Sequence, residues 1–67
     1  MKYGLKIKLK RIEKGYTQKE LGEKIKVTTS TVQKYEAGKR EPKIKTMKEI
    51  AVVLGSTVQE LFFSEEE

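Results

Sequence analysis

Apolar residues recur along this chain with a period that changes from segment to segment. Met47, Ile50, Ala51 and Leu54 sit at i, i+3, i+4 and i+7, the stripe of one helical face, and predict a helix over 45–54. Leu21 and Ile25 are an i, i+4 pair behind Thr17-Gln18-Lys19-Glu20. In that run Thr17 can cap a helix and Glu20 can reach back to the Thr17 amide. Val32 and Tyr35, at i and i+3 behind Thr28 as the N-cap, predict a third helix over 28–36. Thr57-Val58-Gln59-Glu60 repeats the capping-box pattern, with Val58, Leu61 and Phe62 facing inward. In segment 3–14, Tyr3, Leu5, Ile7 and Leu9 alternate with Lys as a strand does, yet helical spacings fit too. A helix is the preferred reading, because a lone strand has no partner in an otherwise helical chain and Gly15 is a plausible stop. The expectation is an all-α domain of five short helices over 1–63, with a short acidic tail at 64–67.

Composition narrows the function. The 67 residues contain no His and no Cys, which removes most nucleophile–base pairs, thiolate chemistry and most transition-metal sites. All ten acidic residues are Glu, and a domain this small has little room for a paired-carboxylate cleft. No enzyme, metal or cofactor is expected. No apolar run approaches the roughly 20 residues of a bilayer span, and no signal-peptide pattern is present. The expectation is a soluble cytoplasmic domain. Its apolar residues in 2–10 alternate and do not form the wide stripe of a membrane-surface helix.

Charge adds a direction. Residues 1–48 hold all fifteen Lys and Arg and five of the ten Glu, whereas 49–67 hold the other five Glu and no base. A basic body points to a polyanion, nucleic acid first. Basic residues also merely solubilise helix surfaces, so charge alone does not decide.

The second and third segments carry more. Two short helices joined by a turn at about 25–28 suggest a helix-turn-helix, although a plain αα-corner has the same outline. At 100° per residue, Thr28, Val32, Tyr35 and Glu36 fall on one side of the third segment. Ser30, Gln33 and Lys34 lie opposite, with Thr29 and Thr31 on the flanks. That outer side is polar and hydrogen-bonding. Gln suits adenine, Lys suits guanine, and a Thr methyl can touch the thymine methyl. Thr29, Ser30, Gln33 and Lys34 are the candidate base-reading residues. Lys34 can equally grip a phosphate.

The run Gly15-Tyr16-Thr17-Gln18-x-x-Leu21-Gly22-x-x-Ile25-x-Val27-Thr28-x-x-Thr31-Val32-x-x-Tyr35-Glu36-x-Gly38, then Pro42, then Thr46-Met47-x-x-Ile50-Ala51-x-x-Leu54, resembles the phage-repressor (Cro/XRE-type) helix-turn-helix family. The likeness extends from about residue 3 to residue 62. It implies a five-helix repressor domain that binds two-fold symmetric operator DNA as a homodimer, with the third helix in the major groove. It implies phosphate contacts from Thr17 and Gln18 at the start of the second helix and from Lys39, Arg40 and Lys43 in the following loop. It also implies an ion pair between Arg11 and Glu36 that aligns the recognition helix; an unpaired carboxylate on the inner edge of that helix would be costly. The dimer contact in similar domains uses the fifth helix and the residues after it. Phe63 is the candidate, with packing on its own domain as the alternative, and Leu5 and Leu9 are further surplus apolar residues.

Three positions depart from the family pattern. Gly22 replaces the usual Ala, Lys26 replaces the usual turn Gly, and Lys43 replaces a cap such as Ser, with Thr46 and Glu49 offering a box of their own. A second functional reading is a protein-interaction module on the same fold, an antitoxin or an antagonist-binding partner, in which DNA contact is secondary. A regulatory protein partner is compatible with either.

Overall fold

The ambiguous first segment is helical. In a computed structural model, which describes residues 2–63, α1 spans Lys2–Lys14. Tyr3, Ile7 and Arg11 repeat every four residues and are buried. Leu5, Leu9 and Ile12 repeat on the far side, each more than half exposed. The apparent strand alternation is therefore a helix with apolar residues on two opposite sides. α1 ends at Gly15, whose φ of 83° suits glycine.

α2 spans Gln18–Ile25 and α3 spans Thr29–Ala37. The capping box at the start of α2 is complete. The Glu20 amide donates to Thr17 Oγ1 at 3.0 Å, and the Thr17 amide donates to Glu20 Oε1 at 2.9 Å. Only Lys26, Val27 and Thr28 separate the two helices. Lys26 adopts the left-handed conformation, φ 65° and ψ 44°, so the turn keeps its geometry without the usual glycine. Gly22 permits the tight crossing: a Cβ there would lie 2.7 Å from the Val27 carbonyl oxygen.

α4 spans Ile44–Val53. Its expected cap from Thr46 and Glu49 does not form, because the helix begins two residues before Thr46. Lys43 is the N-cap and makes no side-chain capping bond. The fifth element is a π-helical turn, Gln59–Phe63, where an α-helix was expected. Thr57 Oγ1 accepts from the Glu60 amide at 3.0 Å, and the Ser56 hydroxyl donates to the Glu60 carboxylate at 2.7 Å. The expected acidic tail, residues 64–67, lies outside the described residues.

The elements close around Ile7, Leu21, Val32, Ile50 and Leu54, all fully buried, with Tyr35, Ala51 and Leu61 beside them. Each such aliphatic contributes about 2 kcal/mol by leaving water. α2 packs on α3 and α4, and α1 packs on α3 and on the C-terminal turn. Tyr3 meets Phe62 there, ring centres 5.2 Å apart, and burial pushes the Tyr3 phenol above its ordinary pKa. Among the described residues the architecture is all-helical.

Candidate nucleic-acid interface

The core fixes how α3 is presented. Val32 and Tyr35 anchor its inner side. Thr28 Oγ1 accepts from the Thr31 amide at 3.1 Å and lies 3.0 Å from the Thr31 hydroxyl. Thr31 is thereby committed to the start of its own helix. Ser30, Gln33 and Lys34 project on the opposite, exposed side, and Thr29 is half-buried on the flank. None of these four side chains bonds to another group among the described residues, so the outer side of α3 offers unspent donors and acceptors. Gly38 ends α3 in the left-handed region, φ 75°. The chain then turns through exposed Lys39, Arg40, Glu41 and Lys43, pinned by buried Pro42.

Behind α3 a polar network joins three elements. Arg11 Nε donates to Glu36 Oε2 at 2.7 Å, and its Nη2 donates to Oε1 at 3.2 Å. Its Nη1 donates to the Tyr16 carbonyl at 2.9 Å. The two side chains are only 10% and 4% exposed, and a forked, charge-assisted pair is the arrangement that tolerates such burial. Gln18 completes it, its Nε2 donating to Glu36 Oε1 at 3.0 Å. No buried side-chain polar atom among the described residues lacks a partner. Gln18 is thus tied inward by one amide hydrogen, leaving a second hydrogen and its carbonyl. Thr17 keeps its hydroxyl proton, since Oγ1 only accepts in the cap.

Sequence reasoning missed the Gln18–Glu36 bond. A carboxylate has about four acceptor sites, and Arg11 fills two, so a third donor was the available signal. It also missed Gly4. A Cβ at Gly4 would lie 2.5 Å from the Glu36 carbonyl oxygen, so this glycine lets α1 lie directly against the end of α3. Phe63 is 55% exposed on the C-terminal turn, an element separate from the α2–α3 pair. Among the described residues no three metal-binding side chains gather, and no helix is long and apolar enough to cross a membrane.

Two short capped helices, a three-residue turn and a second helix with a polar outer side define a helix-turn-helix domain. The helix-turn-helix family model matches residues 7–61. The chain is 36% identical over 53 residues to YonR of Bacillus subtilis strain 168, described as an SPbeta prophage-derived uncharacterized HTH-type transcriptional regulator. That match covers 79% of this chain and 49% of YonR, so the chain spans about half the length of this relative. Its structure resembles the N-terminal DNA-binding domain of SinR from Bacillus subtilis, with a TM-score of 0.86 and 33% identity over 97% of this chain and 96% of that one. It also resembles SinR, the master regulator for biofilm formation, in complex with DNA, with a TM-score of 0.81 and 35% identity over 88% and 95% of the two chains. The chain belongs to the Cro/XRE-type helix-turn-helix family of DNA-binding transcriptional regulators.

Proposed function

We propose that this chain is a cytoplasmic repressor that binds two-fold symmetric operator DNA as a homodimer, with α3 in the major groove. The observation that carries the reading is the unspent outer side of α3, held rigidly by Val32, Tyr35 and the Thr28 cap. Thr29, Ser30, Gln33 and Lys34 read base edges. Thr17 and Gln18 at the start of α2, with Lys39, Arg40 and Lys43 in the loop, hold the phosphates. Helix starts suit this role, because their first amides point outward at an anion. α4 adds another, since its cap Lys43 leaves those amides without a side-chain acceptor. Phe63 is the dimer contact, and 64–67 is an acidic tail whose charge keeps it off DNA.

The test is selection from random duplex DNA, with the enriched sites then titrated at two salt concentrations. A two-fold site with half-sites about 10 bp apart supports the reading. Salt-sensitive binding with no sequence enrichment overturns it.

The outer stripe of α1 favours one second reading. Leu5, Leu9 and Ile12 remain exposed, which suits a protein partner laid along α1, with DNA binding secondary.

A further inference from the structure

We propose that the groove between the end of α2 and the outer side of α4 seats the C-terminal segment, residues 63–67, of a second copy of this chain. The inference rests on the homodimer reading and names the surfaces that make the contact.

The groove holds about 410 Å³. Lys24 and Lys26 rim it from the end of α2 and the turn, and Lys45 and Lys48 rim it from α4. Ile25 and Val52 supply apolar wall, and Val52 is 79% exposed, more than any other large apolar side chain among the described residues. Glu49 is the one carboxylate of the lining. The Lys24 ammonium lies over the Tyr16 ring, 5.2 Å from its centre. Among the described residues, no carboxylate forms an ion pair with Lys26, Lys45 or Lys48.

Lys26 strengthens the case. Its left-handed backbone strains any residue with a Cβ and would not strain glycine. A strained position occupied by a long cation points to a use for that cation. No lining residue of the groove lies on α3, so an occupant leaves the outer side of α3 open to DNA.

The occupant must bring several negative charges and an apolar anchor. This chain carries both in five consecutive residues. Phe63 is half-exposed with no ring partner among the described residues, and Ser64-Glu65-Glu66-Glu67 comes directly after it. All fifteen basic residues lie within 1–48, so the acidic end and the basic body are complementary between copies. The C-terminal turn packs on α1, whereas the groove lies between α2 and α4. A two-fold pair that exchanges tails fills both grooves with one kind of contact.

The chain has no cysteine, so single thiols report the contact cleanly. A Val52→Cys chain is mixed with a Ser64→Cys chain and oxidised mildly. The expected product is the mixed disulfide dimer, several-fold in excess over either symmetric dimer. Glu65→Lys/Glu66→Lys in the thiol-bearing tail lowers the yield at least fivefold, and Lys26→Glu/Lys45→Glu in the groove chain restores it. A disulfide that forms only when both cysteines share one chain overturns the proposal, because the tail then folds back on its own domain. No selective cross-link overturns it as well. So does a groove charge change that flattens the salt dependence of DNA binding with no cross-link, because the groove then belongs to the DNA backbone. Sedimentation separates this from the homodimer reading. A wild-type dimer that survives the tail charge swap keeps the homodimer and discards the seat. A chain monomeric both free and on DNA discards both.

Discussion

Gln18 donates its side-chain amide to Glu36, 3.0 Å away, so the first residue of α2 is held by the carboxylate that Arg11 grips on α3. The bond runs across the helix-turn-helix and couples the proposed phosphate contact to the proposed reading helix. It also fixes which end of the Gln18 amide faces inward. The remaining hydrogen and carbonyl are the groups left for the proposed phosphate contact.

Breaking the network from one side should be costly. Arg11→Met leaves the Glu36 carboxylate buried and nearly unpaired, and should lower stability by about 3 kcal/mol in urea unfolding. Arg11→Met/Glu36→Leu removes both charges and should recover most of that loss. The double variant also strips Gln18 of its acceptor, so its DNA affinity should fall several-fold although its stability returns. A fully stable Arg11→Met single variant defeats the argument.

Reading and clamping residues should separate in DNA titrations. Gln33→Ala should relax preference at particular operator positions, by about 1–3 kcal/mol of discrimination for a bidentate contact. Lys39→Ala should weaken every sequence alike and reduce the salt slope by about 1. Identical behaviour of the two variants across operator changes would erase the division.

The patterns legible in the sequence were those written in local spacing. The stripe of α4, the Thr17–Glu20 box and the Thr28 cap each lie within a few turns at most, and each forms as read, save that α4 begins one residue earlier. Less legible were features set by elements distant in the chain. The α1 helix has apolar residues on both sides, so its pattern alone mimicked a strand. Gly4 has meaning only beside the Glu36 carbonyl, 32 residues on. Thr46 and Glu49 had the right spacing for a cap, yet Pro42 and Lys43 start the helix ahead of them. For the candidate site, helical phase alone placed Ser30, Gln33 and Lys34 outward. The inward tie of Gln18 required the third dimension.

A turn residue, Lys26, and a helix residue packed against the turn, Gly22, should respond with opposite signs. Lys26→Gly relieves the left-handed strain of about 1–2 kcal/mol but frees the unfolded chain, for a net gain of about 0.5–1 kcal/mol. Gly22→Ala gains about 1 kcal/mol of helix propensity. Its methyl would meet the Val27 carbonyl at 2.7 Å, and backbone cannot step aside as a side-chain tip can. The net result should be a loss of about 1–2 kcal/mol. Thermal unfolding of both variants checks the pair, and a stabilised Gly22→Ala would mean the helices separate freely.

The C-terminal turn should weaken in acid through one identifiable group. The Ser56 hydroxyl donates to Glu60 at 2.7 Å, and with the Thr57 amide it favours the charged carboxylate and lowers its pKa. A lowered pKa in the folded state means that unfolding takes up protons in this range. The contribution is therefore present above the ordinary glutamate range and lost as pH falls through the depressed value. Glu60 is fully exposed, so solvent keeps the effect small and local to Gln59–Phe63. Ser56→Ala removes the larger cause, and the Glu60 carboxyl should then titrate at a higher pH by nuclear magnetic resonance. Glu60→Gln should abolish the local acid transition, with the Tyr3–Phe62 ring contact reporting on the turn. An unchanged Glu60 titration in Ser56→Ala would remove the hydroxyl as the cause.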